Sequence, residues 1–420
     1  MPSPASPVPT DADAEPLGRN RDFRVLLVGQ GVSAFGDAVN GTALPLLVLA
    51  LTGSGLAMGI VGALQTFPDL VFGMVAGALA DRRDRKRMMF GADLGRALLT
   101  ALIPISVLFH GPTMAIILLV AAPLSTLRSL FLAGYTASVP ALVGRPQLAR
   151  ANAIFETVYS SGYIVGPSIA GLLATLIGPG QTLAVDAASF AFSALALFLV
   201  QRPLRAPVDR PASRIVDDIR EGIRFILGHG ILRSAIALWG ISSITAAPIV
   251  AALAFRITRD LGYPATILGL VLTGYGIGTV AGSLVATRLG RRRSVGPILL
   301  AGQFATGIAF LGIAGAGLVP AMIGCAVLAG VSQSLVLVTY ITVRTAYSPD
   351  HLLGRVGSTA RVVSLGLQPL GMLAGGVLID ATSGTTTIVV MGVALCVIAL
   401  AFVPVRALRR ASLSGPQQAT

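Results

Sequence analysis

Four carboxylates stand inside stretches of the chain that are otherwise too apolar for water. Asp37 lies in SAFGDAVNGTALP, Asp69 in FPDLVFG, Glu156 in the apolar run that opens at 149, and Asp186 in the run that opens at 181. Charge at such depth is costly, so each marks either a working group or a buried bond. A partly desolvated carboxylate is suited to taking up and releasing protons. Any of the four could carry protons; Asp37, Asp69 and Glu156 are the candidate proton carriers. Gln30 and Asn40 flank Asp37, Gln65 follows on the next run, and Arg128 in LSTLRSLF is the cation available to balance Asp37. Gln30, Asp37, Asn40, Gln65 and Arg128 thus make a candidate polar lining for a cavity. The alternative for Asp37 and Arg128 is a static bridge. Asp93 and Arg96, three apart, can pair on one helix face, and a structural pair is the expectation there. Asp186 falls close to the outer end of its run.

Other chemistries find no support in the sequence. His110, His229 and His351 all lie between apolar runs, which leaves carboxylates rather than a buried histidine relay. Cys325 and Cys396 are far apart and lack metal-ligand spacing. No phosphate-binding glycine loop or nucleophile constellation is present, so neither catalysis nor a bound cofactor or metal is expected.

The elements that position these groups must lie in lipid. Of the 420 residues, 54% are hydrophobic and 12% charged, against about 25% charged in a typical soluble domain. A spanning helix needs about 20 mostly apolar residues. Twelve such runs are predicted, at 23–51, 56–80, 89–109, 113–138, 149–177, 181–201, 233–256, 264–288, 294–316, 318–343, 355–380 and 384–405. The net charge of +13 does not indicate nucleic acid, because the arginines fall between the apolar runs. With the N-terminus inside, inner loops collect nearly all of them, and the outer loops keep only Arg256 and Arg259. That asymmetry places both termini in the cytoplasm. The Pro-rich segment 1–22 reads as a disordered tail, 23–201 as one six-helix half, 202–232 as a linker, 233–405 as the second half, and 406–420 as a further tail. Within the linker, RIVDDIREGIRFIL sets Ile215, Ile219, Ile223 and Ile226 on one face, as in a helix lying along a membrane surface.

The halves echo each other at a shift of 205 positions. Gly77 falls on Gly282, Lys86 and Arg87 on Arg291 and Arg292, Arg150 on Arg355, and Gly166 and Gly171 on Gly371 and Gly376. Asp81 falls on Ala286, so the two basic loops differ in their acid. Two such halves, related by an axis along the membrane normal, are a known transporter plan with substrate held between them.

The loop GALADRRDRKR at 77–87, with a small residue, Leu-x-Asp-Arg and a basic run, resembles the signature loop of the major facilitator superfamily. With LTGSG at 51–55, ADLGRA at 92–97 and ARANA at 149–153, the chain is similar to bacterial efflux members of the enterobactin-exporter and macrolide-exporter type. Asp84 stands where the wider superfamily has glycine. Leu124 and Arg128 match the start of the span-four motif, which Phe131 and Leu132 do not continue. Gly162, Gly166, Pro167 and Gly171 resemble the antiporter element of proton-driven drug exporters, with Ala170 departing from it.

The resemblance implies an all-α fold of twelve transmembrane helices in a bacterial inner membrane. It implies proton-coupled export of an amphiphilic small molecule by alternating access, with no partner needed beyond lipid, protons and substrate, and a monomer as the working unit. An uptake symporter on the same fold, or a transport-inactive sensor or scaffold, are the rivals. It also implies a cytoplasmic gate built from Gly77, Asp81, Arg82, Arg85, Lys86 and Arg355, in which Asp81 accepts hydrogen bonds at the start of span eleven, around Gly354 to Ser358.

Overall fold

The computed structural model describes residues 16–111, 113–144, 146–202, 204, 215–289, 295–349 and 352–409. The described chain is a bundle of helices. α1 (Arg21–Thr52), α2 (Gly55–Arg82), α3 (Arg85–Leu108), α4 (Thr113–Val143), α5 (Leu148–Leu176) and α6 (Pro179–Leu199) form the first half. α7 (Ile215–Gly228) is the linker helix. The seventh span is built from α8 (Gly230–Ala246), α9 (Ile249–Phe255) and a π-helical turn, Arg256–Asp260, with the break at Ala247–Pro248. α10 (Ala265–Leu289), α11 (Val295–Gly315) and α12 (Val319–Ala346) follow. The eleventh span is split into α13 (Leu353–Gly366) and α14 (Gln368–Ala381), and α15 (Gly384–Phe402) is the twelfth. α16 (Arg406–Arg409) ends the described chain. Twelve spans result, close to the predicted bounds.

Local chemistry sets the helix ends. The Asn20 side chain accepts from the Phe23 amide and donates to the Leu142 carbonyl at 3.1 Å, capping α1 and tying it to α4. Gly53 closes α1 in the left-handed region, at φ 65°, where a side chain would be strained. Ser54 caps α2 through the Ala57 amide, and Asp84 caps α3 through the Arg87 amide at 3.2 Å. Asp84, which breaks the wider loop pattern, thus starts a helix.

In the first half α1 packs on α5 and α6, and α3 and α4 complete the layer; in the second, α10 packs on α12 and α11 on α15. The halves meet along two seams, α2 on α14 and α5 on α10. Spans alternate in direction, so the start of α1 and the end of α15 lie on one face, the termini face, opposite a far face. Small residues let the seams close. A Cβ on Gly59 would strike the Met372 carbonyl, and one on Gly269 the Pro167 carbonyl. In lipid such backbone approach is a main source of helix association.

The linker helix does not lie apart on a membrane surface. Gly222 faces the Arg355 backbone of α13, Glu221 pairs with Arg355, and Ile226 is buried while Ile223 is exposed. An α7 without a side chain at position 222 can approach α13, which is why it docks there.

Candidate functional site

α1, α3 and α6 bring the buried charges together. Asn40 Nδ2 donates to Asp186 Oδ2 at 2.6 Å. Asp186 is not at the rim of the bundle: it sits beside the middle of α1, because α6 begins at Pro179 and leans on α1 along its length. Gly36 permits that approach, since a Cβ there would run into Ser189 Oγ and Cβ. Asp93 and Arg96 pair as their spacing predicts, and both are buried. The Arg96 guanidinium also lies over the rings of Phe131 at 4.7 Å and Phe190 at 4.2 Å, contacts that hold a cation well once water is excluded.

A cavity of about 240 Å³ opens beside this cluster. Asp37 and Asn40 reach it from α1, Gln65 from α2, Arg96 from α3, Arg128 from α4 and Asp186 from α6. Tyr163 of α5 and Met372 of α14 add aromatic and apolar surface. The volume is below the roughly 300–1,000 Å³ of drug-sized pockets, so a larger substrate has to extend into the gap between the halves. Gln30 donates to Ser193 Oγ at 3.1 Å, nearly three helix turns from Asn40, outside the cavity lining, and ties α1 to α6. Glu156 is exposed on α5, below the Tyr159–Tyr163 pair, whose hydroxyls are 3.2 Å apart. The side chains of Asp69, Asp81 and Arg82, and the surroundings of Gly77, lie outside the described ones. Arg96 and Asp186 were not on the predicted lining; a charge inside an otherwise apolar run, with Phe190 one turn from Asp186, was the available signal.

Among the described residues, every hydrogen bond between the halves lies from mid-bundle to the far face. On one seam the Asp380 carboxylate accepts from Ser54 Oγ at 2.6 Å, from the Leu56 amide at 3.0 Å and from the Gly55 amide. On the other, Thr175 Oγ1 accepts from the Thr266 amide at 3.2 Å, and Ser168 and Thr273 hydroxyls meet at 2.6 Å. Arg259 reaches the Leu49 carbonyl at 3.4 Å. On the termini face, Arg85 donates to the Ala137 carbonyl and Lys86 to the carbonyls that end α6, at Phe198 and Val200, contacts that all lie within the first half. A cation at a helix C-terminus is favourable there.

The glycine element of α5 serves both sides of its helix. Gly162 and Gly166 receive α1 at Phe35 and Ala38, and Gly171 receives α10 at Ala265 and Gly269. α5 runs unbroken through Pro167.

Two pseudo-equivalent helical halves around a charged central cavity, sealed at one face, are the build of a major facilitator transporter. Residues 13–415 match the model of the transmembrane secretion effector family, and the chain belongs to that family. It is similar to the multidrug efflux pump Tap of Mycolicibacterium fortuitum, 30% identical over 388 residues, covering 90% of this chain and 94% of that one. It is 26% identical over 343 residues to the enterobactin exporter EntS of Escherichia coli O1:K1, covering 80% and 79%. Among solved structures, a bacterial homologue of the human lysosomal transporter Spinster, in an inward-facing and unoccupied conformation, gives a TM-score of 0.71 at 14% identity over 92% of this chain and 95% of that one. The nucleoside transporter NupG gives 0.73 at 14% identity over 91% and 100%. The chain is a multi-pass membrane transporter of the efflux kind, handling small molecules, and not an enzyme.

Proposed function

We propose that this transporter exports an amphiphilic, cationic small molecule in exchange for protons, by alternating access through the central cavity. The observation that carries this reading is the set of carboxylates and guanidiniums lining one cavity, Asp37, Asp186, Arg96 and Arg128, with apolar and aromatic surface beside it. Proton exchange needs titratable groups in reach of the substrate, and Asp37 is placed to be one, with Arg128 on the same cavity as its counter-charge. Of the other carboxylates predicted from the sequence, Asp69 has its side chain outside the described ones and Glu156 is exposed on α5, away from the cavity lining. The relatives named for multidrug efflux and enterobactin export support an amphiphilic substrate.

The arginine asymmetry makes the termini face cytoplasmic, in a bacterial inner membrane with the monomer as the working unit. The far-face seal then corresponds to an inward-facing state. When the cavity opens outward, the loop from Gly77 to Lys86 and the start of α13 close the cytoplasmic side, with Asp81 accepting bonds at that helix N-terminus, where negative charge is favoured. Arg355 passes from Glu221 to the closing contact.

The test is transport by the purified chain in proteoliposomes, with a panel of lipophilic cations and neutral amphiphiles under an imposed pH gradient. Accumulation should follow the gradient and collapse when it is dissipated, and Asp37→Asn should weaken it. Movement indifferent to the gradient would contradict antiport; movement of none of the compounds would contradict transport of this class.

A further inference from the structure

We propose that Asp186 is the group whose proton this transporter exchanges for its substrate. The inference rests on the antiport reading above and assigns its proton to one side chain.

Asp186 is 1% exposed, yet it lines the central cavity. Its Oδ2 accepts from the Asn40 amide, a neutral donor. Its Oδ1 has no hydrogen-bond partner among the described residues and faces the backbone of Gly36, where even an added Cβ would come within 2.9 Å. A buried acceptor without a donor costs about 1–3 kcal/mol, and more when it carries charge. A proton on Oδ1 removes that charge, and the remaining oxygen keeps the Asn40 bond.

Among the described residues, no cation is bound to Asp186. It shares the cavity wall with Asp37 and Asn40 of α1, with Arg96 of α3, whose partner is Asp93, and with Tyr163 of α5. Arg96 is already held by Asp93 and by the rings of Phe131 and Phe190. Arg128 lies on the same cavity as Asp37. Among the described side chains, three carboxylates, at 37, 93 and 186, and two guanidiniums, at 96 and 128, stand in or beside this cavity. An uncompensated charge in a desolvated cluster is strongly unfavourable. Those five side chains sum to zero charge when one carboxyl is protonated; among the described residues neither Asp37 nor Asp186 is bound by a guanidinium, and of the two Asp186 is the one shut from water, with an oxygen left without a donor.

The exchange then balances. A cationic substrate entering the cavity brings the charge that Asp186 lacks. The O–H bond of the Asp186 carboxyl breaks, its electron pair stays on the carboxylate to neutralise the substrate, and the proton leaves to water through the cavity. After the substrate departs on the other side, the carboxylate takes a proton from that side. Substrate and proton occupy the cluster alternately, as antiport demands.

The experiment uses the full chain in detergent, weakly buffered, with ethidium as the cationic probe. Binding is read by ethidium fluorescence and proton release by a pH indicator. Wild type should bind ethidium and release protons as it binds. Asp186→Asn should bind ethidium more weakly, since the carboxylate that balances the cation is gone, should release no proton as it binds, and should lose the pH dependence of wild-type affinity. Asp186→Glu should restore both. If wild type binds without releasing protons, or does not bind, antiport of a cation fails and this inference with it. If wild type releases protons and Asp186→Asn releases as many, antiport stands and Asp186 is not its carrier; Asp37→Asn, run alongside, then shows whether Asp37 is. Loss of ethidium binding in both Asp186→Asn and Asp186→Glu would reduce Asp186 to a structural role and overturn the inference.

Discussion

The two seams between the halves solve the same problem with different chemistry. Each runs along a glycine-lined helix pair, and each ends at the far face with a side chain of one half bonding to a helix N-terminus of the other. Thr175 and Asp380 stand 205 positions apart, the offset that relates the halves. On the α5–α10 seam the cap is a hydroxyl, receiving one amide from Thr266. On the α2–α14 seam it is a carboxylate, receiving two amides and a hydroxyl at the start of α2. Bonds to a charged acceptor are stronger than neutral ones, and the helix dipole adds to them. The second seam is therefore the firmer latch and the one that charge can release, while the first supplies mainly fit.

Several substitutions would break or sharpen that contrast. The largest effect belongs to Gly269→Leu, which drives a side chain into the Pro167 carbonyl. Overpacking of this kind costs about 3 kcal/mol, so transport in vesicles should fall by about a hundredfold while the helical content stays. Gly376→Leu, against the Gly55 carbonyl, should do the same on the other seam. Asp380→Asn comes next. Its site is exposed, which discounts the bonds to about 1 kcal/mol, a roughly fivefold shift toward the far-face-open state, measurable as labelling of a far-face cysteine inside the gap. Thr175→Val should shift the same labelling only about twofold, for about 0.5 kcal/mol. Asp84→Ala removes the α3 cap at the opposite face. It should lower thermal stability by about 1 kcal/mol and leave the far-face labelling unchanged.

What was legible in the sequence follows from what local pattern can encode. The twelve spans were readable because hydropathy and arginine placement are properties of single segments. The Asp93–Arg96 pair was readable because both residues sit on one helix face. Asp380 and Ser54 are 326 positions apart, and nothing in either segment names the other. Asp186 seemed peripheral when counted along its own span; only the packing of α6 on α1 brings it to Asn40. Asp84 looked like a departure from a family pattern, although an acid immediately before a helical run is a capping signal in its own right. The apolar stripe of α7 is legible in the sequence, but Gly222, which falls on that stripe between Ile219 and Ile226, decides that the helix docks on α13.

The most direct test of a far face held shut by unequal seams is a distance across it. Phe109 and Leu318 are exposed at the far ends of opposite halves, away from both seams. Spin labels on cysteines at these two sites, in a chain with Cys325 and Cys396 replaced by alanine, report their separation in lipid nanodiscs by pulsed electron resonance. Wild type should show one dominant distance, Asp380→Asn a second and longer population, and Thr175→Val a smaller share of it. Identical distributions in all three proteins, or a larger longer population in Thr175→Val than in Asp380→Asn, would contradict the account.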